Sequence, residues 1–453
     1  MPMCRRLLGR SVALLALPAA VLIAGAPAGA ESSHGHGDDR VLYVSASATP
    51  SATDRNCATA AYTSVEAAVT AAREGAKVYL CGTTPFVESV AIEDKALELT
   101  GDAGASIVAP ASAAAPTTFF SDQGLQTPNA VVTVIGDDNV EISGLTISGP
   151  FQNTGCGGDD YGVLQVASGD PGHLSLDNDV VQNIGAASQA SLGGCQYGVG
   201  IEIGRRYWPN LSGASGGFNI VNFAGDANVR GTSVSGYQKN GITADGPGSN
   251  VEVDGSTVNG GGQTALIARN GIQISRGAGG EVHGSTVAAN EYTGPGGFAS
   301  ATGLLVYGGC GDPLSVGVKV HDDTFSNNDS GVVIGDYSAD PNCVASATTP
   351  TDNEIHGNSI DKTDGETNHS PFTDAAGNAY TGYQVGIADT GNSDTIHDNT
   401  ITGTIVGGAD TAYGPQTAPG GNFLAPIDLQ TYPAVNAKVH DNRFDGGRLD
   451  AAH

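Results

Sequence analysis

The chain has 453 residues, 67 of them glycine and one tryptophan, and a formal net charge of −28. That charge excludes nucleic acid and anionic membrane surfaces as general partners, since a polyanion approaches only where a local basic patch or bridging cations carry the contact. Abundant Gly with frequent Asn, Asp, Ser and Thr favours many short strands and tight turns over long helices.

Residues 1–30 read as an export signal. Arg5, Arg6 and Arg10 form a basic start, SVALLALPAAVLIAG is a short apolar run, and Ala28-Gly29-Ala30 supplies a cleavage site. The mature chain is therefore expected to be secreted and extracellular, with no membrane span, because no second apolar run of spanning length follows. Its 16 basic and 47 acidic residues leave a net charge of −31. Residues 31–57, opening on SSHGHGDDR, read as a polar linker and entry segment. In YTSVEAAVTAAREGAKVYLCG, Thr63 and Glu66 have capping-box spacing, the Ala/Val stripe is amphipathic, and Gly75 suits a helix stop. Short strands then follow one another: KVYL, SVAI, ALELTG, VVTVIG and VEISGLTISG. Cys57, Cys81, Cys156, Cys195, Cys310 and Cys343 remain after the leader, and an even count in an exported chain favours disulfides. Pairing of sequence neighbours, 57–81, 156–195 and 310–343, is expected.

From residue 162 two phrases alternate. One is an apolar strand entered through Gly, as in NGITADG, NGIQISRG and TGLLVYG; the other is a six-residue phrase, as in VHGSTV, VHDDTF, IHGNSI, IHDNTI and VHDNRF. Its period near 30 residues, without intervening helices, predicts a solenoid whose turns bury apolar side chains on one another. The expected fold is all-β: a single-stranded right-handed parallel β-helix of roughly eleven coils over residues 58–445, with a short N-terminal capping helix, long loops and a tail at 446–453. Val439 and Phe444 point inward, with Asn442 at the turn in a column with Thr232, Ser256, Ser285, Asp323, Asn358 and Asn399. His283, His321, His356, His397 and His440 then form an exposed file continued by Asp254 and Arg230. Such a file suits metal binding, pH sensing or a neutral surface stack, and it reports register rather than catalysis.

The segment from Thr63 to Gly101, with its Phe86-Val87-Glu88 phrase, resembles the opening of right-handed parallel β-helix proteins of the pectin-lyase-like superfamily. The later G-I and I-x-x-N-x-I phrases resemble that superfamily's coil repeat. The resemblance implies the fold; the superfamily holds lyases, hydrolases, esterases, epimerases and adhesins, so it implies no single activity. No paired-Asp set followed by Gly-His-Gly lies in the coils, and no W-x-D-H phrase is present.

Charge singles out one region. No Lys or Arg occurs from residue 96 to 204, yet residues 205–276 hold Arg205, Arg206, Arg230, Lys239, Arg269 and Arg276 against four acids. Lys239-Asn240-Gly241-Ile242 aligns with Arg269-Asn270-Gly271-Ile272, so Lys239 and Arg269 are expected to stack in neighbouring turns beside an outward row of Gln165, Glu202, Thr243 and Gln273. Three readings follow. A polysaccharide lyase acting on a uronate would use Lys239, its pKa lowered by Arg269, as base, with Arg205, Arg206 or Arg276 holding carboxylates and Tyr207 and Trp208 stacking on sugar. A glycoside hydrolase would use Glu202 and Asp245. A non-catalytic surface rod would bind an extracellular polysaccharide or cell-surface glycan through the loops 205–218, 362–384 and 408–424. No cofactor is indicated except Ca2+, which the acidity leaves open although no dedicated binding loop is present.

Overall fold

The computed structural model describes residues 41–452 apart from 48, 52–53, 112–113, 152–158, 186–195, 208–219, 295–299, 310–311, 337–348, 364–371, 374–378, 381–383, 404–424, 430–433 and 445–446. The expected leader lies outside the described residues, as do Trp208, Cys156, Cys195, Cys310 and Cys343.

One coil shows how the chain winds. The strand Asn240–Asp245 leads to Asn250–Asp254, which bends into Thr257–Thr264, and the chain returns as Asn270–Ser275 directly beside its starting strand. The coil strands pair in parallel with their counterparts one coil on, in a 23-stranded sheet that covers two faces and a ten-stranded sheet that forms the third. The protein is a parallel β-helix. Inward positions from all three faces, among them Val253, Val258, Ile272, Val282 and Val287, stack in one continuous core. Each fully buried Val or Ile contributes about 1.5–3 kcal/mol, so the repeat is held by burial that no isolated coil could achieve.

The six-residue phrase is explained by the bend between the first two faces. The residue after the histidine position adopts a left-handed backbone in coil after coil: φ is 55° at Gly255, 61° at Gly284, 56° at Asp322, 68° at Gly357, 55° at Asp398 and 58° at Asp441. Gly, Asp and Asn take that conformation at the lowest cost, and the phrase accordingly uses Gly or Asp at these positions. The next side chain turns inward and builds a ladder. Ser256 Oγ accepts from the Thr232 amide, Ser285 Oγ from Ser256, Asp323 Oδ1 from Ser285, Asn358 Oδ1 from Asp323, Asn399 Oδ1 from Asn358 and Asn442 Oδ1 from Asn399, at 2.7–3.1 Å. This column bridges every coil it passes through, as expected.

The ends differ from expectation in detail. Val41–Val44, within the stretch read as linker, pairs with Ala76–Leu80, so the first rung starts before residue 58. A four-residue run in polar surroundings carries too little periodicity to be read as a strand. The capping helix is Val65–Ala71, but its N-cap is Ser64 rather than Thr63. Glu88, the acid of the Phe86-Val87-Glu88 phrase, closes the cap: its carboxylate accepts from Ser64 Oγ at 2.7 Å and from the amides of Val65 at 2.7 Å and Glu66 at 3.1 Å. A carboxylate held by the first-turn amides also complements the helix dipole, so the phrase is a remote helix cap. Glu66 reaches instead to the Ala91 amide. Cys57 and Cys81 form a disulfide, tying the entry segment to the first coil. At the other end Gly447–Ala452, read as tail, folds back antiparallel on Lys438–Phe444 and covers that open edge.

Candidate functional site

The outer face of the ten-stranded sheet carries the site. Its central outward column runs Thr133, Leu164, Glu202, Thr243, Gln273, Leu305 and Val333 in register. Gln165, expected in this row, instead pairs with Ile203, and its amide nitrogen donates to the Gly172 carbonyl. A one-residue slip exchanges the two faces of a strand, and VLQV offers apolar residues at both parities.

Around Glu202, Thr243 and Gln273 the polar side chains form a connected network. Asn240 Nδ2 donates to Thr243 Oγ1 at 3.0 Å and to Gln273 Oε1 at 3.2 Å, and Asn270 Nδ2 donates to Gln273 Oε1 at 3.0 Å. Gln273 Nε2 donates to Ser275 Oγ, which donates to Asp245 Oδ1, both at 3.0 Å. Arg276 grips Asp245 with two parallel bonds, Nε to Oδ1 at 2.6 Å and Nη2 to Oδ2 at 2.5 Å, and the Arg206 amide adds a third donor at 2.9 Å. Arg206 Nε in turn donates to Asp312 Oδ1 at 2.8 Å and Nη1 to Asn222 Oδ1 at 3.1 Å. Tyr307, in register with Ser275, lies half-buried at the rim of this network.

Glu202 differs from Asp245. Its side chain is fully buried, Arg205 Nη1 lies 3.3 Å from Oε1, and Oε2 has no hydrogen-bond partner among the described residues. Burial pushes its carboxyl up to about 8; Arg205 opposes the shift and Asp245 adds to it. Two carboxyl groups one rung apart thus sit in contrasting environments, one gripped by guanidinium and hydroxyl donors and the other left protonated at neutral pH.

The remaining expected residues are placed elsewhere or engaged differently. Lys239 precedes by four residues the Thr243 that faces Glu202, a separation of about 13 Å along the strand. Its Nζ donates to the Ala268 carbonyl at 2.8 Å, and burial alone, not Arg269, lowers its pKa to about 8. Arg269 occupies the equivalent place one coil on, but it is buried and its Nη2 donates to the Gly262 carbonyl. The two side chains therefore run to different backbone carbonyls. Arg205, Arg206 and Tyr207 form a strand, Arg205–Tyr207, paired antiparallel with Val221–Phe223. Tyr207 is buried among Phe120 and Phe223, its ring 6.1 Å and 5.7 Å from theirs, and so offers the interior rather than a sugar its face. Of the expected set, Glu202, Arg205, Arg206, Asp245, Gln273 and Arg276 come together. Sequence reasoning missed Ser275, Tyr307, Asp312 and Asn222. Aligning TGLLVYG on NGIQISRG places Tyr307 beside Ser275, but no local signal marks Asp312 or Asn222.

The histidine file has the expected register, but His283, His321, His356 and His397 are half-buried and only His440 among the five is exposed. Arg230, Asp254, His283, His321, His356, His397 and His440 occupy one register column, and successive imidazoles stack at 4.9–5.3 Å with planes 1–12° apart. Parallel rings at that spacing aim their nitrogens side by side rather than at a common point, and among the described residues no group of three or more His, Cys, Asp or Glu is placed to hold a metal.

No family model matches the chain, and no curated protein matches it. Among solved structures it is similar to an alginate lyase from Paenibacillus sp. str. FPU-7, with a TM-score of 0.42 at 13% identity over 90% of this chain and 97% of that one. It is similar also to the Dettilon tailspike protein, with a TM-score of 0.35 at 14% identity over 87% of this chain and 71% of that one. Among the described residues no helix is long and apolar enough to cross a membrane.

Proposed function

We propose that this chain is a secreted protein that binds an extracellular polysaccharide across the outer face of the ten-stranded sheet and hydrolyses it, with Glu202 as the proton donor. The observation that carries the reading is the buried Glu202 carboxyl, raised to about 8, with an unpartnered oxygen amid amides, hydroxyls and guanidinium groups. Gln273, Arg276 and Tyr307 supply the hydrogen-bonding and ring surface that sugar recognition requires. Asp245 is the second carboxylate. One rung and two residues separate it from Glu202, and the distance between the two carboxyl groups sets whether the chemistry is retaining or inverting. Hydrolysis is favoured over β-elimination on a uronate because Arg206 and Arg276 are paired with Asp312 and Asp245, Arg205 lies between Glu202 and Asp159, and Lys239 lies apart from them.

Incubation with neutral and uronate polysaccharides, with and without calcium, tests this. New reducing ends without ultraviolet-absorbing unsaturated ends are expected, lost in Glu202→Gln, and falling above about pH 8 as the proton donor ionises. Unsaturated products lost in Lys239→Ala would establish the lyase chemistry instead. Glycan retention without either product would leave a binding protein.

A further inference from the structure

A concavity lies on a different face from Glu202, along the strands that carry the histidine file. It has a volume of about 320 Å³ and is lined in part by Asn250, Glu252, Gly279, Glu281, Val316 and Lys319. One of its lining residues is a glycine that the fold does not demand. Gly279 follows Asp226 and Asn250 in an outward register column, where a side chain would ordinarily stand over the sheet. Its φ is not left-handed, and a Cβ built there would meet only Asn250 Oδ1, at 3.4 Å. Neither backbone conformation nor packing therefore calls for glycine, and what its missing side chain provides is the open space itself.

We propose that this concavity is a binding subsite for a neutral sugar residue. Glu252 and Glu281 stand in adjacent rungs as acceptors for hydroxyl groups, with Asn250 and the exposed Lys319 as donors to hydroxyl or ring oxygens. Val316, one of three exposed large apolar side chains among the described residues, offers an apolar contact for the C–H face of the ring. Arg230 Nη2 lies 3.6 Å from Glu252 Oε1, and His321 Nε2 lies 2.9 Å from Glu281 Oε1. The lining holds two carboxylates against the one ammonium of Lys319, which disfavours a uronate, and among the described residues no group of three or more His, Cys, Asp or Glu is placed to hold a divalent cation. The subsite does not depend on the Glu202 chemistry, since it lies on another sheet.

Saturation-transfer NMR on the full chain with the methyl glycosides of glucose, galactose, mannose and N-acetylglucosamine, and separately with galacturonate and with calcium alone, tests the assignment. At least one neutral glycoside is expected to receive saturation. That signal should vanish in Gly279→Phe and weaken at least tenfold in affinity in Glu281→Gln. Gly279→Phe should unfold at the wild-type temperature, and Glu281→Gln, which loses the carboxylate facing His321, slightly below it. Should Gly279→Phe lower that temperature, Lys319→Ala, altered at an exposed side chain, gives the same readout. Failure of all four neutral glycosides to bind, binding undiminished in the variants, or preferential binding of galacturonate or calcium would overturn the proposal. None of these outcomes depends on whether a polysaccharide is cleaved.

Discussion

Asp323 offers a sharp test of how the inner ladder stabilises the coils. It holds the position that Asn358, Asn399 and Asn442 fill in the three coils that follow. Its Oδ1 accepts from the Ser285 amide at 2.7 Å, and its own amide donates to Asn358 Oδ1 at 3.0 Å, but Oδ2 has no partner among the described residues. Burial raises its pKa from 3.8 to about 7, against the pull of the Ser285 amide. An acid whose folded pKa exceeds its unfolded value binds more protons when folded, so stability falls as pH rises from about 4 to about 7. At 1.36 kcal/mol per pKa unit, the charge costs on the order of 4 kcal/mol above neutrality. In Asp323→Asn the amide nitrogen should donate to the Val282 carbonyl and to Asn358 Oδ1, as Asn358 Nδ2 does to the Val320 carbonyl and Asn399 Oδ1, both at 2.9 Å. Guanidinium unfolding of both proteins between pH 4 and 8 is the assay. The variant should gain little near pH 4 and on the order of 4 kcal/mol by pH 8. A gap that does not grow with pH, or a variant less stable at pH 8, would refute the account of the ladder.

Other consequences follow from the same contacts. In the histidine file, burial opposes the charge on His321 and His397, but each is bonded to two carboxylates, Asp322 and Glu281 or Asp398 and Glu354, and its pKa is raised. His356 between them is lowered, by burial and by its two neighbours, although Glu354 opposes the shift. NMR titration should therefore show His321 and His397 protonating above the ordinary 6.5 and His356 below it, and the part of stability owed to the first two should fade as pH rises through their folded values. Asp245→Asn breaks a buried bidentate pair with Arg276 and should lower stability by about 3–5 kcal/mol in denaturant unfolding. Replacing Cys57 and Cys81 by Ala opens a loop of 24 residues and should remove about 3 kcal/mol, read the same way.

The interior was legible because every coil repeats its environment. The alternation of Val, a polar residue and a left-handed turn residue repeats often enough to assign inward and outward positions, and it placed the histidine file and the inner ladder column by column. Where the repeat is interrupted, legibility stopped. Glu88 caps a helix 22 residues away, and Arg206 meets Asp312 across 106 residues, pairings that no period announces. Lys239 and Arg269 were aligned in register, but side chains this long choose their carbonyl by local geometry, which alignment does not reveal. Gln165 was placed one position out because neighbouring residues of VLQV serve equally well inside and outside.

The break in the repeat is itself the argument for function. Along the outward column of the ten-stranded sheet, Thr133 and Leu164 precede and Leu305 and Val333 follow Glu202, Thr243 and Gln273, and Glu202 is the one ionisable side chain among these seven. Holding Glu202 protonated at pH 7, when its unfolded carboxyl would ionise near 4.5, costs on the order of 3 kcal/mol. Such an expense persists where a site requires it. Glu202→Gln keeps the shape of the neutral acid without its titration, so it should unfold at higher denaturant than wild type by an amount that shrinks as pH falls toward 4.5. A residue that only stabilised the coil through its bond to Arg205 would show the opposite: Glu202→Gln would weaken the protein at every pH, and the catalytic assignment would fall with it.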